Sequence, residues 1–307
     1  MELALEAQAE DLDLVPWRSL FKGKGRPEGL TFTGRISWRA KSLHLEKFTL
    51  RECRGEVVLT GNGSRVELEE GLLCGMDVSG AFSSLKGRKD LRLRLAAVEA
   101  PLGETLRCLG GKEGLADGVF LLEAELRARG RRDPLREFSE GSLYLFSAEG
   151  RIYRLTVLSR LFAVLNVMEI LKGRFPDFTG KGFPYDRLEV MGRVRNGRLR
   201  IEEGVIESPG LKIFAEGTMD LPTGRLDLVV LVAPLRTVDT LLSHIPLLGE
   251  VLTGKSKTFL SFPFKVTGTV SDPKVTPLPP SAIGGGLLGV VKRTLQLPFK
   301  VIQPVLP

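Results

Sequence analysis

A chain of 307 residues with 43% hydrophobic residues is long enough to bury a substantial core, which excludes a disordered or low-complexity polymer. Its 35 glycines and 18 prolines are spread between short apolar runs, the distribution expected of many strands joined by turns. Six of the seven units of net positive charge fall after Gly254, where Phe299 is the one aromatic residue beyond Asp272, so nucleic acid is excluded in favour of an anionic membrane surface.

Residues 2 to 15 alternate as a strand through Leu3, Leu5, Ala7, Ala9, Leu12 and Leu14, and a Lys/Gly-rich loop at 22 to 29 leads to a second strand, Leu30 to Trp38. Strands are expected at Leu43 to Arg51, Gly55 to Thr60, Arg65 to Glu70 and Leu72 to Phe82, with Gly61-Asn-Gly-Ser64 as a turn. Leu91 to Leu95 reads as a strand, Pro101 to Leu109 as a short helix, and Val119 to Ala128 as another strand. The spacing is that of an antiparallel meander.

Leu143 to Arg151 continues the meander, and Leu155 to Lys172 changes to helical spacing through Leu158, Leu161, Phe162, Leu165, Met168 and Leu171. Asn196-Gly197 then centres a hairpin with a type I′ turn that pairs Arg195 with Arg198 and Val194 with Leu199. This register puts Leu188, Val190, Val194, Leu199 and Ile201 on one face and the arginines and glutamates on the other. A second hairpin about Leu221-Pro-Thr-Gly224 aligns Leu211, Ile213, Ala215 and Met219 with Leu226, Leu228, Val230 and Val232 on a common apolar face. Leu235 to Gly254 is an apolar helix interrupted by Pro246, and Thr258 to Val270 alternates again, with Leu260, Phe262, Phe264 and Val266 on one side. In Ala282 to Pro307, Leu287, Leu288, Val291 and Leu295 supply apolar surface and Lys292, Arg293 and Lys300 supply charge, so this segment is expected either to lie in a membrane interface or to fold back as a cap.

The three cysteines lack metal-ligand spacing; at most Cys53 and Cys74 pair across neighbouring strands, the alternative being three separate thiols. Gly249-Glu-Val-Leu-Thr-Gly254-Lys255-Ser256 fits a phosphate-binding loop literally, but a helix precedes it and a strand follows, the reverse of what such a loop needs. Gly284-Gly-Gly286-Leu-Leu-Gly289 follows a Pro-rich linker and has no acidic ribose partner after it. Ser83-Ser-Leu-Lys86 and Ser271-Asp-Pro-Lys274 lie at strand ends as turn residues, while His44 and His244 read as structural. No nucleophile, acid-base pair or metal cage assembles, so the chain is expected to be non-enzymatic and to take no cofactor and no nucleotide. Met1-Glu-Leu-Ala-Leu-Glu is unlike a secretory leader, and no run of about 20 apolar residues exists, so any anchoring part is expected outside this chain.

Glu140-Gly-Ser-Leu-Tyr-Leu-Phe-Ser-Ala-Glu-Gly-Arg-Ile, the following apolar helix, the Asn-Gly hairpin, Gly204-Val-Ile-Glu-Ser-Pro-Gly, Glu216-Gly-Thr-Met-Asp-Leu, Ile245-Pro-Leu-Leu-Gly249 and Phe264-Lys-Val-Thr-Gly-Thr-Val-Ser-Asp-Pro-Lys stand in one order. That order resembles the C-terminal region of AsmA-like proteins, the family that includes TamB and YhdP, best over about residues 140 to 275. The resemblance implies a mainly β fold, an elongated, twisted antiparallel sheet curled into an open groove with a few amphipathic helices. It implies a periplasmic, envelope-associated protein, anchored in the inner membrane, that carries phospholipid toward the outer membrane. On this reading 1–139 form meander repeats, 140–275 the groove with two apolar helices, and 276–307 a basic amphipathic tail. Acyl chains would lie on the faces of the two hairpins and on Phe262 and Phe264; the alternative is a structural or chaperone-like envelope protein that assists outer-membrane protein assembly.

Overall fold

The computed structural model describes residues 3–13, 33–45, 48–110, 114–130, 140–153, 156–165, 182–234, 261–279 and 285–296. Among these, fourteen strands form one sheet in sequence order: β1 (Leu3–Asp13), β2 (Gly34–Leu45), β3 (Phe48–Thr60), β4 (Gly63–Leu73), β5 (Met76–Leu85), β6 (Arg88–Pro101), β7 (Ala116–Gly130), β8 (Glu140–Ile152), β9 (Phe183–Arg195), β10 (Arg198–Ser208), β11 (Leu211–Asp220), β12 (Arg225–Pro234), β13 (Phe262–Thr269) and β14 (Pro273–Pro277). Three helices accompany them: α1 (Leu102–Cys108), α2 (Thr156–Leu165) and α3 (Gly285–Gln296). The expected helix at 235–254, with the phosphate-loop match and His244, lies outside the described residues, as do Leu260 and Lys300.

Every neighbouring pair from β2 onward is antiparallel, but β1 runs parallel to β2, Leu3 opposite Gly34 and Asp13 opposite His44. The sheet is therefore mixed rather than wholly antiparallel. Two expected strands are corrected as well. Leu45 pairs with Phe48, so a connection splits the run read as Leu43 to Arg51. Leu73 pairs with Met76 about Cys74-Gly75, whose φ angles of 54° and 83° are those of an Asn-Gly hairpin turn, so Leu72 to Phe82 is not one strand. At Asn196-Gly197 the register is as expected, with Arg195 opposite Arg198 and Val194 opposite Leu199. The second hairpin also holds, Met219 facing Leu226 and Ile213 facing Val232.

Bulges bend the sheet. Glu52, Glu99 and Glu149 take φ angles of 49°, 52° and 50°, and register shifts accompany them between β3 and β4 and between β6 and β7, with a further shift beside Gly118 in β7. In β10 a bulge after Ile201 changes the parity, so that Leu199 and Ile201 share a face with Gly204 and Ile206. Glycines let strands close in: a Cβ on Gly80 or Gly141 would lie 2.3 or 2.4 Å from the carbonyl oxygen of Arg92 or Glu125. This explains why glycine recurs beside the alternating runs.

The curl is strongest after β8. Were the sheet flat, six strand spacings of about 4.8 Å would separate β8 from β14 by about 29 Å. Yet α2 starts a few residues after β8 and packs against β14, and its Arg160 lies 3.8 Å from Asp272 in the β13–β14 turn. Ile152, Leu158, Leu161, Phe183, Tyr185, Ile213, Leu228, Phe264 and Val266 consequently share one core.

Candidate functional site

The face that turns toward this core continues across the whole sheet. One cross-strand row runs Trp38, Gly55, Leu68, Gly80, Leu93, Leu126, Gly141, Val194, Leu199, Met219 and Leu226, each opposite the next. The face is apolar throughout, but its coverage changes along the row. From β2 to β8, Ile36, Trp38, Val57, Val66, Leu68, Phe82, Leu93 and Leu126 are only half-buried, whereas Val78, Leu91, Leu122, Ala124 and Ala128 on the same face are buried and Leu95, Leu143 and Leu145 pack on the cluster that includes Leu102 of α1. From β9 to β13, Val194, Leu199, Leu211, Ile213, Leu226, Leu228, Val230, Val232 and Phe264 are buried, none more than 8% exposed. Leu188, Ile201, Met219 and Phe262 pack against the same core, and Val190 is half-buried.

The residues expected to hold acyl chains thus come together on one face as the alternation requires, but most of those in 188–264 belong to one buried core with Leu158 and Leu161 of α2, which itself packs against β14. Sequence reasoning missed the first-half residues, Trp38, Phe82 and Leu93 among them. Their alternation was visible, but the place where a helix packs on that face, as α1 does over Leu95, Leu143 and Leu145, is a tertiary fact.

At the boundary between the two halves, buried polar groups hold the β7–β9 bulge. Ser147 Oγ donates to the carbonyl of Val119 at 2.8 Å, and Tyr185 OH donates to that of Asp117 at 2.8 Å, the two hydroxyls lying 2.7 Å apart. Burial pushes the Tyr185 phenol above its ordinary pKa, so it stays a neutral donor. Asp117 also accepts from Tyr153 OH at 2.7 Å and from the Arg151 amide at 2.6 Å, fixing the exit of β8 toward α2. These contacts position; they do no chemistry. His44 bonds Thr49 across strands at 3.1 Å and lies 3.8 Å from Asp11, which fits a structural role. Among the described residues there is no cluster of metal-ligating side chains and no helix long and apolar enough to cross a membrane.

Cys74 and Cys108 form a disulfide, and Cys53 is a free, buried thiol. This overturns both the Cys53–Cys74 pairing and the three-thiol alternative: Cys53 sits in a different cluster with Leu43 and Leu50. The bridge ties α1 to the β4–β5 turn, and Thr105 Oγ1 adds a 2.9 Å bond to the Cys74 carbonyl.

The opposite face carries ion pairs, such as Arg35–Glu56 at 3.1 Å and Arg129–Asp90 at 2.7 Å, but over part of β10–β12 it is apolar. There Val205, Phe214, Leu231 and Ala233 form a second apolar surface, and α3 covers it with Leu287, Val290 and Val291. Leu287 is 0% and Val291 7% exposed: the helix lies folded back, onto the outer face rather than over the inner one. Leu288, Lys292, Arg293 and Leu295 belong to the same helix.

The sequence model of the family described as YhdP protein matches residues 30–275, which takes in every strand from β2 through β13. The chain belongs to the YhdP family. No curated protein and no solved structure matches it. Membership of the YhdP family places the chain in the AsmA-like, TamB–YhdP group of envelope proteins, in agreement with the resemblance read from residues 140 to 275 and extending it well into the first half.

Proposed function

We propose that this YhdP-family chain is a segment of a non-enzymatic periplasmic protein that conducts phospholipid between the inner and outer membranes along the inner face of its sheet, and that it takes no cofactor. The observation that carries this reading is the half-buried apolar inner face of β2–β8. Trp38, Phe82 and Leu93 lie on that face with no helix packed against them among the described residues, α1 covering only the part around Leu95, Leu122, Leu143 and Leu145, and acyl chains supply the missing half of that core. Charged groups on the other face keep such a sheet soluble. The Cys74–Cys108 bridge supports an oxidising compartment, since disulfides persist in the periplasm and are rare in the cytosol.

The alternative, a structural or chaperone-like envelope protein whose core its own helices fill, is favoured by one observation: α2 occupies the inner face of β9–β14. The two readings divide at β8. A photo-crosslinking side chain at Phe82 or Leu93 should capture phospholipid in cells, whereas one at Leu228, 8% exposed, should not. Absence of lipid adducts at Phe82 and Leu93 in a folded, full-length protein would leave the structural reading.

A further inference from the structure

We infer that the outer face of the β9–β10 hairpin is a binding site for a phosphate-bearing anion. Arg193, Arg195, Arg198 and Arg200 are all exposed there, and the register sets Arg195 directly opposite Arg198 and Arg193 directly opposite Arg200. Like charges opposite one another in a ladder are destabilising, and here the conflict occurs twice within one hairpin. A local conflict that folding does not require points to a function.

Nearby carboxylates relieve it only in part: Glu140 stands opposite Arg195 on β8 but lies 3.9 Å from Arg127. Arg193 pairs with Glu202 at 3.4 Å and Arg198 lies 3.8 Å from Asp220, while Asp227 is held by Lys265. Glu216 reaches instead toward the start of α3, its Oε2 lying 2.6 Å from where a Cβ on Gly286 would be. Arg195 and Arg200 have no carboxylate partner within 4.0 Å among the described residues. With Arg193, Arg198 and Lys265 they line a cleft between the hairpin and the first turn of α3, open to solvent, where these five cations outnumber the carboxylates of Glu202, Glu216 and Asp227.

Guanidinium groups facing one another across a ladder suit an anion with several acceptor oxygens, which can take a forked bond from each side. A single carboxylate offers fewer oxygens for four such donors. The site lies on the face opposite the apolar row, so it stands whether or not the inner face carries lipid. Its ligand is either free phosphate or the phosphodiester of a lipid headgroup.

The test uses the whole chain and the double substitution R195Q/R200Q, which removes the two unpaired cations and leaves the ion pairs of Arg193 and Arg198. Inorganic phosphate should raise the wild-type melting temperature beyond chloride at equal ionic strength, and the double variant should lose about tenfold in phosphate affinity. Without phosphate the variant should melt no lower than wild type, because a repulsion has been removed. Binding of glycerophosphoglycerol and of phosphatidylglycerol vesicles as well as phosphate assigns the headgroup, and binding of phosphate alone assigns the free anion. A shift no greater than with chloride, an unchanged shift in the variant, or stabilisation by an acidic peptide but not by phosphate would overturn the site.

Discussion

Cysteine chemistry gives the sharpest single-residue test. Burial, with Glu52 close by, pushes the Cys53 thiol up to about 11, so it is protonated and slow to react near neutral pH. Native protein should therefore yield no fast thiol, denatured protein one, and reduced denatured protein three, with a Cys74–Cys108 peptide in the digest. A bridge containing Cys53 would contradict the fold of the first half. Reducing the bridge frees a loop spanning 34 residues, worth about 3–4 kcal/mol in the chain-entropy picture, and should loosen α1 first. Tyr144, on the outer face and hydrogen-bonded to Glu189, gives a second single-residue test. Burial and then Glu189 push its phenol from 10.0 up to about 12, so the folded state holds the proton more tightly than the unfolded one. That contribution is fully present below pH 10 and is lost as pH rises toward 12, and Tyr144→Phe should flatten this alkaline limb. An unchanged limb in the variant would assign the loss to other groups.

Helix α3 carries the next prediction. Leu287 is fully buried against the outer face, so Leu287→Ala should cost about 2–4 kcal/mol in urea unfolding, and deleting 285–296 should increase binding of an apolar dye by uncovering Phe214 and Leu231. A cost near zero, with loss of vesicle binding, would return the helix to the membrane. The sequence held a sign of this packing. Leu228-Val-Val-Leu-Val-Ala-Pro234 is an unbroken apolar run, the mark of a strand buried on both faces, whereas the hairpin before it alternates cleanly. Where alternation and an Asn-Gly turn coincided, as at Arg195 to Arg198, the sequence specified the register to the residue. It failed where a turn was made by Cys74-Gly75, because a cysteine at positive φ is unusual and the disulfide from that same Cys74 to Cys108 cannot be read from spacing. Coverage of the inner face was illegible for a different reason. Which half α2 fills depends on how far β8–β14 curl, a sum over bulges and close glycine contacts.

At the scale of the molecule, the two halves of the sheet do different things with the same apolar face. Pro273 and Pro277 blunt the short last strand, and α2 lies along it, so the β14 end is closed both at its edge and inside. At the other end β1 presents an eleven-residue edge with Leu5 50% exposed. Helix α1 packs over the β6–β8 part of the first half through Leu102 and Leu106, but the rows through Trp38, Phe82 and Leu93 carry no helix among the described residues. From β2 to β8 is six strand spacings, about 29 Å, and an acyl chain spanning half of a hydrocarbon core is about 15 Å long. Two chain lengths fit end to end before α2 blocks the way. Native mass spectrometry of the purified chain should therefore find one or two phospholipids bound, and the number should not scale with all fourteen strands. Opening the second half should raise it: Leu158→Ala with Leu161→Ala, which trims α2 where it enters the core, is expected to admit at least one more lipid in protein that keeps its sheet signal. A wild-type count above about two, or no change in the trimmed but folded variant, would mean that α2 does not set the end of the lipid path.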